Sequence, residues 1–267
     1  MNRGQQPALT AFALGMIGLG VLALIYGDFA MVWQPVPMFP GRTALAYASG
    51  AIMLFGGVAL LFRSTAQSAV RVLFPYLFIW MLLKVPALVV APGMEAVWLG
   101  FGELAVLFAG GWILFARMAD LRDGSRLSFL TSEKSIYAAR IMFGVWLIPI
   151  GLSHIFYVKA TADLVPAWLP YREGWAYLTG AGQIACGLGV LLSILPRVAA
   201  FTEAAMIGLF TILVWAPKIA AAPKTRLPWT AFFISWAIAS AAWLVAQNVA
   251  AKQHANEKMA AGKSSAA

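Results

Sequence analysis

Residues 151–192, GLSHIFYVKATADLVPAWLPYREGWAYLTGAGQIACGLGVLL, contain the pattern that is repeated along the chain. This stretch joins the end of one apolar segment to the start of another through a connector rich in proline and aromatic residues. The second apolar segment is rich in glycine. The stretch also contains His154, one of two histidines, and Cys186, the single cysteine. Outward from it, the chain keeps alternating long apolar segments with short polar connectors.

Composition places this chain in a membrane. It has 267 residues, of which 62% are hydrophobic and 11% are charged, whereas soluble domains carry about 25% charged residues. The net charge of +9 comes from residues that lie between apolar segments rather than on one polar face. That distribution favours contact with lipid head groups and argues against nucleic-acid binding.

Eight segments of about 19–22 residues are apolar enough to cross the hydrocarbon core. Helices are expected because a lipid-exposed backbone must satisfy its own hydrogen bonds. The sequence therefore predicts an all-α, polytopic membrane helix bundle with eight transmembrane helices. The predicted spans are residues 8–27, 43–62, 72–91, 96–116, 136–157, 174–195, 198–216 and 228–247.

The arginine and lysine residues orient these spans. Most of them fall on the side of the N-terminus, which predicts that both termini are cytoplasmic. The loop with Lys218, Lys224 and Arg226 runs against this bias. We interpret the first apolar run as a membrane helix rather than a signal peptide, because it is too long and no Ala-x-Ala site follows it.

Polar segments divide the chain into four parts. Residues 117–135 carry both charge signs and an Asp-Gly turn signal, and we interpret them as a cytoplasmic linker. They separate a first four-helix repeat, residues 1–116, from a second, residues 136–247. Residues 248–267 have no apolar face and are predicted to form a disordered tail.

The two halves resemble each other in sequence. Each has four spans, an even number, so both insert the same way up as parallel repeats. Each also has a proline-rich connector between its first two spans, residues 28–42 and 158–172. We expect each connector at the outer surface, partly dipping into the membrane, as an anchoring loop or a lid over the helix ends. At a shift of 130 or 131 residues the matching pairs include Pro40 with Pro170, Arg42 with Arg172, Gly50 with Gly180, Gly57 with Gly187, Pro86 with Pro217, Pro92 with Pro223 and Trp98 with Trp229.

Several motifs resemble the DoxX-like (DoxX/DoxD) family of bacterial integral membrane proteins. They are His154 with Ile155 and Phe156, LVPAWLP at residues 164–170, WAYLTG at residues 175–180, and the later Pro217, Pro223, Arg226 and Trp229. The resemblance covers roughly residues 140–246. Relatives often carry a histidine two residues before the first of these later prolines, where this chain has Trp215.

The resemblance implies a multi-pass protein of the bacterial inner membrane. The family and its relatives include a DoxD-type subunit of a thiosulfate:quinone oxidoreductase, membrane partners of redox enzymes and distant receptor chaperones. It therefore implies a membrane subunit or partner of a redox system that binds a quinone or a lipid. Electrons would come from a redox partner protein, because one cysteine and one histidine within the spans provide no evident metal or thiol couple.

Ionisable and aromatic residues near the outer ends of spans are the candidate ligand-binding residues, because charges inside a membrane are costly and commonly functional. In the redox hypothesis His154 and Tyr157 contact the ligand head group, Trp168 and Trp175 cover it, and Lys84 with Glu103 tune the site. The alternative for Lys84 and Glu103 is a charge pair within one helical hairpin. We interpret Glu203 as a structural residue that pairs with Arg140 or Arg197.

Two functions from different classes remain open. The first is the quinone- or lipid-binding redox subunit, and whether it is itself an enzyme stays undecided. The second is a non-enzymatic membrane scaffold, chaperone or small-molecule transporter, since internal repeats and intramembrane charges are also typical of transporters. Homo-oligomerisation is compatible with both.

Overall fold

The computed structural model describes residues 6–34, 36–121 and 126–264, with side chains described as far as residue 250 in the last helix. Over these residues the chain is helical and contains no strand, which confirms the predicted all-α class. The α-helices are α1 (Gln6–Tyr26), α2 (Arg42–Leu60), α3 (Ala66–Leu82), α4 (Val85–Val90), α5 (Glu95–Met118), α6 (Glu133–Phe156), α7 (Val158–Ala162), α8 (Arg172–Leu191), α9 (Pro196–Phe210), α10 (Ala216–Ala221) and α11 (Arg226–Ser264). A 3₁₀-helix covers Ser128–Thr131 and a π-helix covers Thr211–Trp215.

Seven membrane-length apolar helices occur in the described part of the chain. They are α1, α2, α3 continued by α4, α5, α6, α9 continued by α10, and α11 as far as Ala250. They coincide with seven of the eight predicted spans. The remaining predicted span coincides with α8, which has 20 residues but is less apolar because it contains several glycines and Gln183.

Two of the membrane-length helices end in a short extra helix. Both α4 and α10 begin with a proline in the first turn, where the missing N–H costs nothing because it would be unpaired in any case. Each ends at an alanine outside the helical region, Ala91 with φ −131° and ψ 57°, and Ala222 with φ −141° and ψ 68°. The chain then turns into α5 and α11.

Helices α5 and α11 form the centre of the bundle. They pack against each other, α5 also packs against α3 and α6, and α11 also packs against α1 and α9. The pairs α1–α2 and α6–α8 flank this centre. Helix α5 is the most enclosed of the membrane-length helices, and the first 25 residues of α11 are as enclosed as α1. Because α5 and α11 also contact helices from both halves of the sequence, the core lies along these two helices.

Glycines let neighbouring helices approach to backbone contact. A Cβ atom on Gly151 of α6 would lie 2.6 Å from the carbonyl oxygen of Gly180 of α8, and one on Gly144 would lie 2.8 Å from that of Gly187. In α1 and α2, a Cβ on Gly20 would lie 2.7 Å from the carbonyl oxygen of Gly50. Small residues at interfaces are the usual means of tight helix packing in membranes.

The last helix is longer than the sequence predicts. α11 runs to Ser264, through most of the segment predicted to be a disordered tail. Its alanine, lysine and glutamate residues have high helix propensity, so the helix continues without an apolar face. Residues 265–267 and, in the linker, residues 122–125 lie outside the described part of the chain.

Candidate functional site

A groove of about 860 Å³ lies between α5 and α6. Its wall is mostly aromatic and aliphatic, with Trp98 on one side and Trp146, Pro149 and Leu152 on the other. Trp98 stacks on Trp146 with ring centroids 6.1 Å apart. Since α5 belongs to the first half of the sequence and α6 to the second, the groove lies at the interface between the two halves.

Polar groups are concentrated at one end of this groove. Glu95, the first residue of α5, lines it, and its carboxylate oxygens are enclosed without a hydrogen-bond partner. Tyr157, at the end of α6, also lines it, and its hydroxyl accepts a hydrogen bond of 3.1 Å from the backbone N–H of Ala96. The groove therefore has an apolar body and a small polar end, which suits an amphiphilic molecule.

The first connector folds into the bundle at the end where the two connectors lie. Trp33 is 3% exposed, and its indole Nε1 donates to Glu103 Oε2 at 3.1 Å. Gln34 donates from Nε2 to Tyr76 Oη at 2.8 Å and to Ser49 Oγ at 3.2 Å. These side-chain contacts make the part of the first connector around Trp33 and Gln34 an internal plug, while Met38 and Phe39 stay exposed at the surface.

Lys84 and Glu103 both hold this plug. The Nζ of Lys84 donates to the carbonyl oxygen of Val32 at 2.7 Å, while Glu103 accepts from Trp33. The two side chains do not form the direct charge pair that the sequence suggested. The ion pairs in the described part of the chain are Arg42–Asp28, Arg226–Asp28 and Arg117–Glu133. Lys84 and Glu103 thus each meet a polar group of the first connector.

His154 faces α8 rather than the groove. Its Nδ1 lies 2.9 Å from Thr179 Oγ1, and its ring stacks on Phe210 with centroids 5.8 Å apart. Tyr157 is the one residue of the predicted ligand-binding set that lines the groove. The predicted set is therefore distributed over several places. His154 lies within α6, whereas Tyr157 is the residue after its last turn, with φ −112° and ψ 39°, and its hydroxyl meets the start of α5 instead of α8.

The tryptophan of the second connector is exposed, unlike Trp33 of the first. Trp168 is 71% exposed, and Trp175, in the first turn of α8, is 40% exposed. The carbonyl oxygen of Trp175 accepts a hydrogen bond of 2.8 Å from Thr179 Oγ1, which links it to the His154 contact. Neither tryptophan lines the groove between α5 and α6. On the outer surface, exposed tryptophans suit a membrane interface.

A charged clamp closes the same end of the bundle beside α1. Asp28 pairs with Arg42 at 2.5 Å and with Arg226 at 2.9 Å, and Arg226 also donates to the carbonyl oxygen of Phe29. Burial raises the pKa of Asp28, but the bonds from Arg226, Arg42 and the Phe29 N–H outweigh it, so the pKa lies below its usual value. This clamp has no signal in the sequence, because Arg226 and Asp28 are 198 residues apart.

A second polar cluster lies inside the second half. Glu203 of α9 is fully buried and Gln183 of α8 is 1% exposed. Gln183 and Cys186 lie beside the Glu203 carboxylate, yet both carboxylate oxygens and Gln183 Oε1 are without a hydrogen-bond partner. Arg140, a suggested partner of Glu203, instead donates to Ser193 Oγ at 2.8 Å. Across the described residues no group of three or more His, Cys, Asp or Glu side chains is placed to hold a metal ion.

None of the groove residues other than Tyr157 was predicted from the sequence to bind a ligand. Glu95 directly precedes the predicted span 96–116, and Trp98 and Trp146 are aromatic residues within predicted spans. The one available signal was the acidic Glu95, two residues after the turn at Pro92 and Gly93. What joins these residues is the packing of α5 against α6, which is not periodic in sequence.

A family model matches part of the second half of the chain. Residues 143–241 match the family described as Domain of unknown function (DUF8561). The matched region runs from α6 into α11 and leaves the first half of the chain unmatched. No curated protein and no solved structure matches the chain significantly.

Proposed function

We propose that this chain is a membrane protein of two parallel four-span repeats that binds a quinone- or lipid-like amphiphile between them. The observation that carries the proposal is the groove of about 860 Å³ between α5 and α6. Its volume lies in the range typical of small-molecule sites. Its polar end lies at the helix ends, where an amphiphile in the bilayer places its head group.

The packing of α8 supports an eighth span. Its 20 residues make a helix of about 30 Å, the thickness of the hydrocarbon core. It runs antiparallel to α6, with one glycine contact near Gly151 and another seven residues earlier near Gly144. If α6 crosses the membrane, α8 crosses it as well, because the two helices pack along their length. With eight spans both termini lie on one side of the membrane. The excess of Arg and Lys on that side favours the cytoplasm.

Recurring local structure supports the repeats. Trp98 Nε1 donates to the carbonyl oxygen of Pro92 at 2.8 Å, and Trp229 Nε1 donates to that of Pro223 at 2.8 Å. The π-helix at Thr211–Trp215 explains why the sequence match has two shifts. A π-turn inserts one residue into a helix, which accounts for the change from a shift of 130 between α2 and α8 to a shift of 131 between α5 and α11. In the first helices of the two halves, the glycine contacts make Gly20 of α1 equivalent to Gly151 of α6, which is also a shift of 131.

The two interfaces that the repeats make equivalent differ in what fills them. Between α1 and α11, the ring of Phe233 lies directly against Gly18, and Trp236 Nε1 donates to the carbonyl oxygen of Ala11 at 2.7 Å. At a shift of 131 residues, the corresponding positions between α5 and α6 are Gly102 and Pro149. A Cβ on Gly102 would lie 2.9 Å from the carbonyl oxygen of Trp146, so the helices touch there, and the groove lies beside this contact, lined by Pro149. The large ring that fills the first interface is thus absent from the second, which supports a ligand site beside it.

The redox part of the proposal rests on the DoxX-like resemblance. In that role the protein is a membrane subunit or partner of a redox system in the bacterial inner membrane. The groove holds the amphiphile, Tyr157 and Glu95 face its head group, and electrons come from a partner protein. His154, Trp168, Trp175, Lys84 and Glu103 then shape the surrounding connector end.

Purification of the native protein in mild detergent tests the proposal. We would record an absorption spectrum and identify extracted lipids and co-eluting chains by mass spectrometry. The wild type should retain an amphiphile in stoichiometric amount. Ile148→Trp, which fills the groove, should lose it, while the matched Leu178→Trp on the exposed face of α8 should keep it.

A quinone, or a flavin- or haem-bearing partner, would support the redox role. Bulk lipid alone in all three proteins, or retention of the same molecule by Ile148→Trp, would overturn the groove assignment. The second candidate is a carrier or scaffold, which the arrangement of two parallel repeats also favours. A carrier should transport a solute in vesicles without any partner, and a scaffold should retain only a partner protein.

A further inference from the structure

The polar cluster of α8 and α9 is separate from the groove and unused by the proposed function. It consists of Gln183, Cys186 and Glu203, and we call it the Glu203 cluster. Glu203 is 0% exposed, and Gln183 is 1% exposed. Their three buried acceptor oxygens, both of the carboxylate and Oε1 of the amide, have no hydrogen-bond partner. Such an arrangement is rare, because buried polar atoms are nearly always paired.

The fold does not require polar residues at this place. At a shift of 130 residues, α2 and α3 carry Met53, Gly56 and Leu73 in place of the cluster. There a Cβ on Gly56 would lie 2.8 Å from Leu73 Cδ2, so the corresponding residues also face each other. Met53 and Leu73 are both buried. The first half thus closes the same contact with an apolar pair, and the second half replaces that pair with an amide and a carboxyl.

An ionised carboxylate in this position has nothing to balance its charge. Among the elements packed against α9, α8 presents Cys186 to the carboxylate. The sequence of α11 has no ionisable residue between Arg226, at the connector end, and Lys252. No ion pair in the described residues involves Glu203. Burying an unpaired charge is far more costly than burying a neutral acid.

We propose that the Glu203 cluster is a proton-binding site within the membrane, with the proton held by the Glu203 carboxyl beside the Gln183 amide oxygen. Gln183 and Cys186 carry N–H and S–H donors beside the carboxylate, but none of the three acceptor oxygens has a well-formed hydrogen bond. A proton neutralises the carboxylate and gives it an O–H donor of its own. A metal cation fits less well, because Na⁺-like or Ca²⁺-like hard cations take about six or more oxygen ligands. Binding and release of this proton change the charge inside the second half without involving the groove.

Infrared spectroscopy of the protein in lipid nanodiscs tests this site directly. At neutral pH, the wild-type spectrum minus the Glu203→Gln spectrum should contain the carbonyl band of a protonated carboxylic acid, shifted by exchange into D₂O. The same band should remain in Glu95→Gln, a control that removes the groove carboxyl. A difference spectrum with carboxylate bands instead would show that Glu203 is ionised and would overturn the proposal.

Stability as a function of pH provides the second measurement. As pH rises above the ordinary glutamate pKa of about 4.3, the wild type should lose thermal stability, because the folded state holds a proton that the unfolded state has released. Glu203→Gln should remove most of this loss. If that variant does not fold, Glu203→Leu combined with Gln183→Met restores the residue types of the first half and should also remove it. An unchanged pH profile in the variant, or stabilisation of the wild type by Na⁺ together with carboxylate bands, would contradict a proton site.

Discussion

Asp28 shows how one side chain joins distant parts of the chain. It lies just after α1 and binds Arg42 at the start of α2 and Arg226 at the start of α11. Arg42 also lies over the ring of Phe29, with 5.3 Å from Cζ to the centroid. Because three helix ends meet at one carboxylate, its ionisation state affects the closure of the interface between α1 and α11.

The first prediction concerns this ionisation. Asp28→Asn should lower the free energy of unfolding by about 1–2 kcal/mol at neutral pH, because charge-assisted hydrogen bonds are weakened but the site is partly exposed. The folded-state pKa of Asp28 is lowered. Its contribution is therefore present above the ordinary pKa of about 3.9 and disappears as pH falls through the lower folded value.

Thermal unfolding followed by tryptophan fluorescence, at several pH values from about 7 down to about 3, measures this contribution. The stability difference between wild type and Asp28→Asn should shrink toward acidic pH. Glu133→Gln removes the carboxylate of the exposed Arg117 pair and should have little effect at any pH. Equal losses for both variants would contradict the role assigned to Asp28.

At the scale of elements, two helices are joined by backbone contact at glycine. The pair α6–α8 has no room for a methyl group at Gly151, whose Cβ would lie 2.6 Å from a carbonyl oxygen. Gly208 of α9 also lies in a helix, but a Cβ atom on it would have no other atom within 4 Å. These two positions separate the effect of helix contact from that of helix propensity.

We predict that Gly151→Ala destabilises the protein by about 1–3 kcal/mol, because the helices must separate to admit the methyl group. Gly208→Ala makes the same chemical change and should be neutral or slightly stabilising, since alanine favours helix over glycine by about 1 kcal/mol. Unfolding in mixed micelles measures both. Equal effects of the two substitutions would mean that α6 and α8 are not in contact at Gly151.

The two connectors differ in how their tryptophans are held: Trp33 is buried and bonded to Glu103, whereas Trp168 is exposed. Trp33→Phe removes the indole donor from Glu103 and should cost about 1–3 kcal/mol, because it leaves a buried acceptor unpaired. It should also make the first connector more accessible to proteases. Trp168→Phe, in the exposed second connector, should change neither stability nor proteolysis. Faster proteolysis of both variants, or of neither, would argue against a docked first connector.

At the scale of the whole molecule, the number of spans decides the topology. Seven membrane-length helices put the termini on opposite sides, whereas an eighth span at α8 puts them on the same side. α8 begins after Tyr171, which is 87% exposed, and ends before Arg197, which is also exposed. These two residues mark the ends of the helix whose crossing is in question.

Cysteine labelling tests the crossing in a Cys186→Ser background. Tyr171→Cys and Arg197→Cys should react with a membrane-impermeant maleimide from opposite sides of a sealed vesicle. In intact cells Tyr171→Cys should be labelled, and Arg197→Cys should be labelled only after permeabilisation. Thr225→Cys, in the exposed loop before α11, should behave like Tyr171→Cys. Labelling of both α8 positions from one side would contradict eight spans.

The amino-acid sequence is sufficient to predict a membrane environment and an all-helical fold. Long apolar segments with few charges require helices in a membrane, because an unpaired backbone in lipid is too costly, and the positions of the apolar segments follow the observed helices closely. It also pointed to Lys84, Glu103, His154 and Glu203 as unusual, because charge or polarity inside an apolar segment is visible in one dimension.

Which of these residues contact one another becomes visible in the tertiary structure and not in the sequence. The plug formed by Trp33 and Gln34, the Asp28 clamp, the groove between α5 and α6 and the partners of Glu203 all join residues from different helices. Their contacts depend on which helix faces pack together and where glycines allow close approach. Those choices come from shape complementarity between helices, which leaves no periodic signal along the chain.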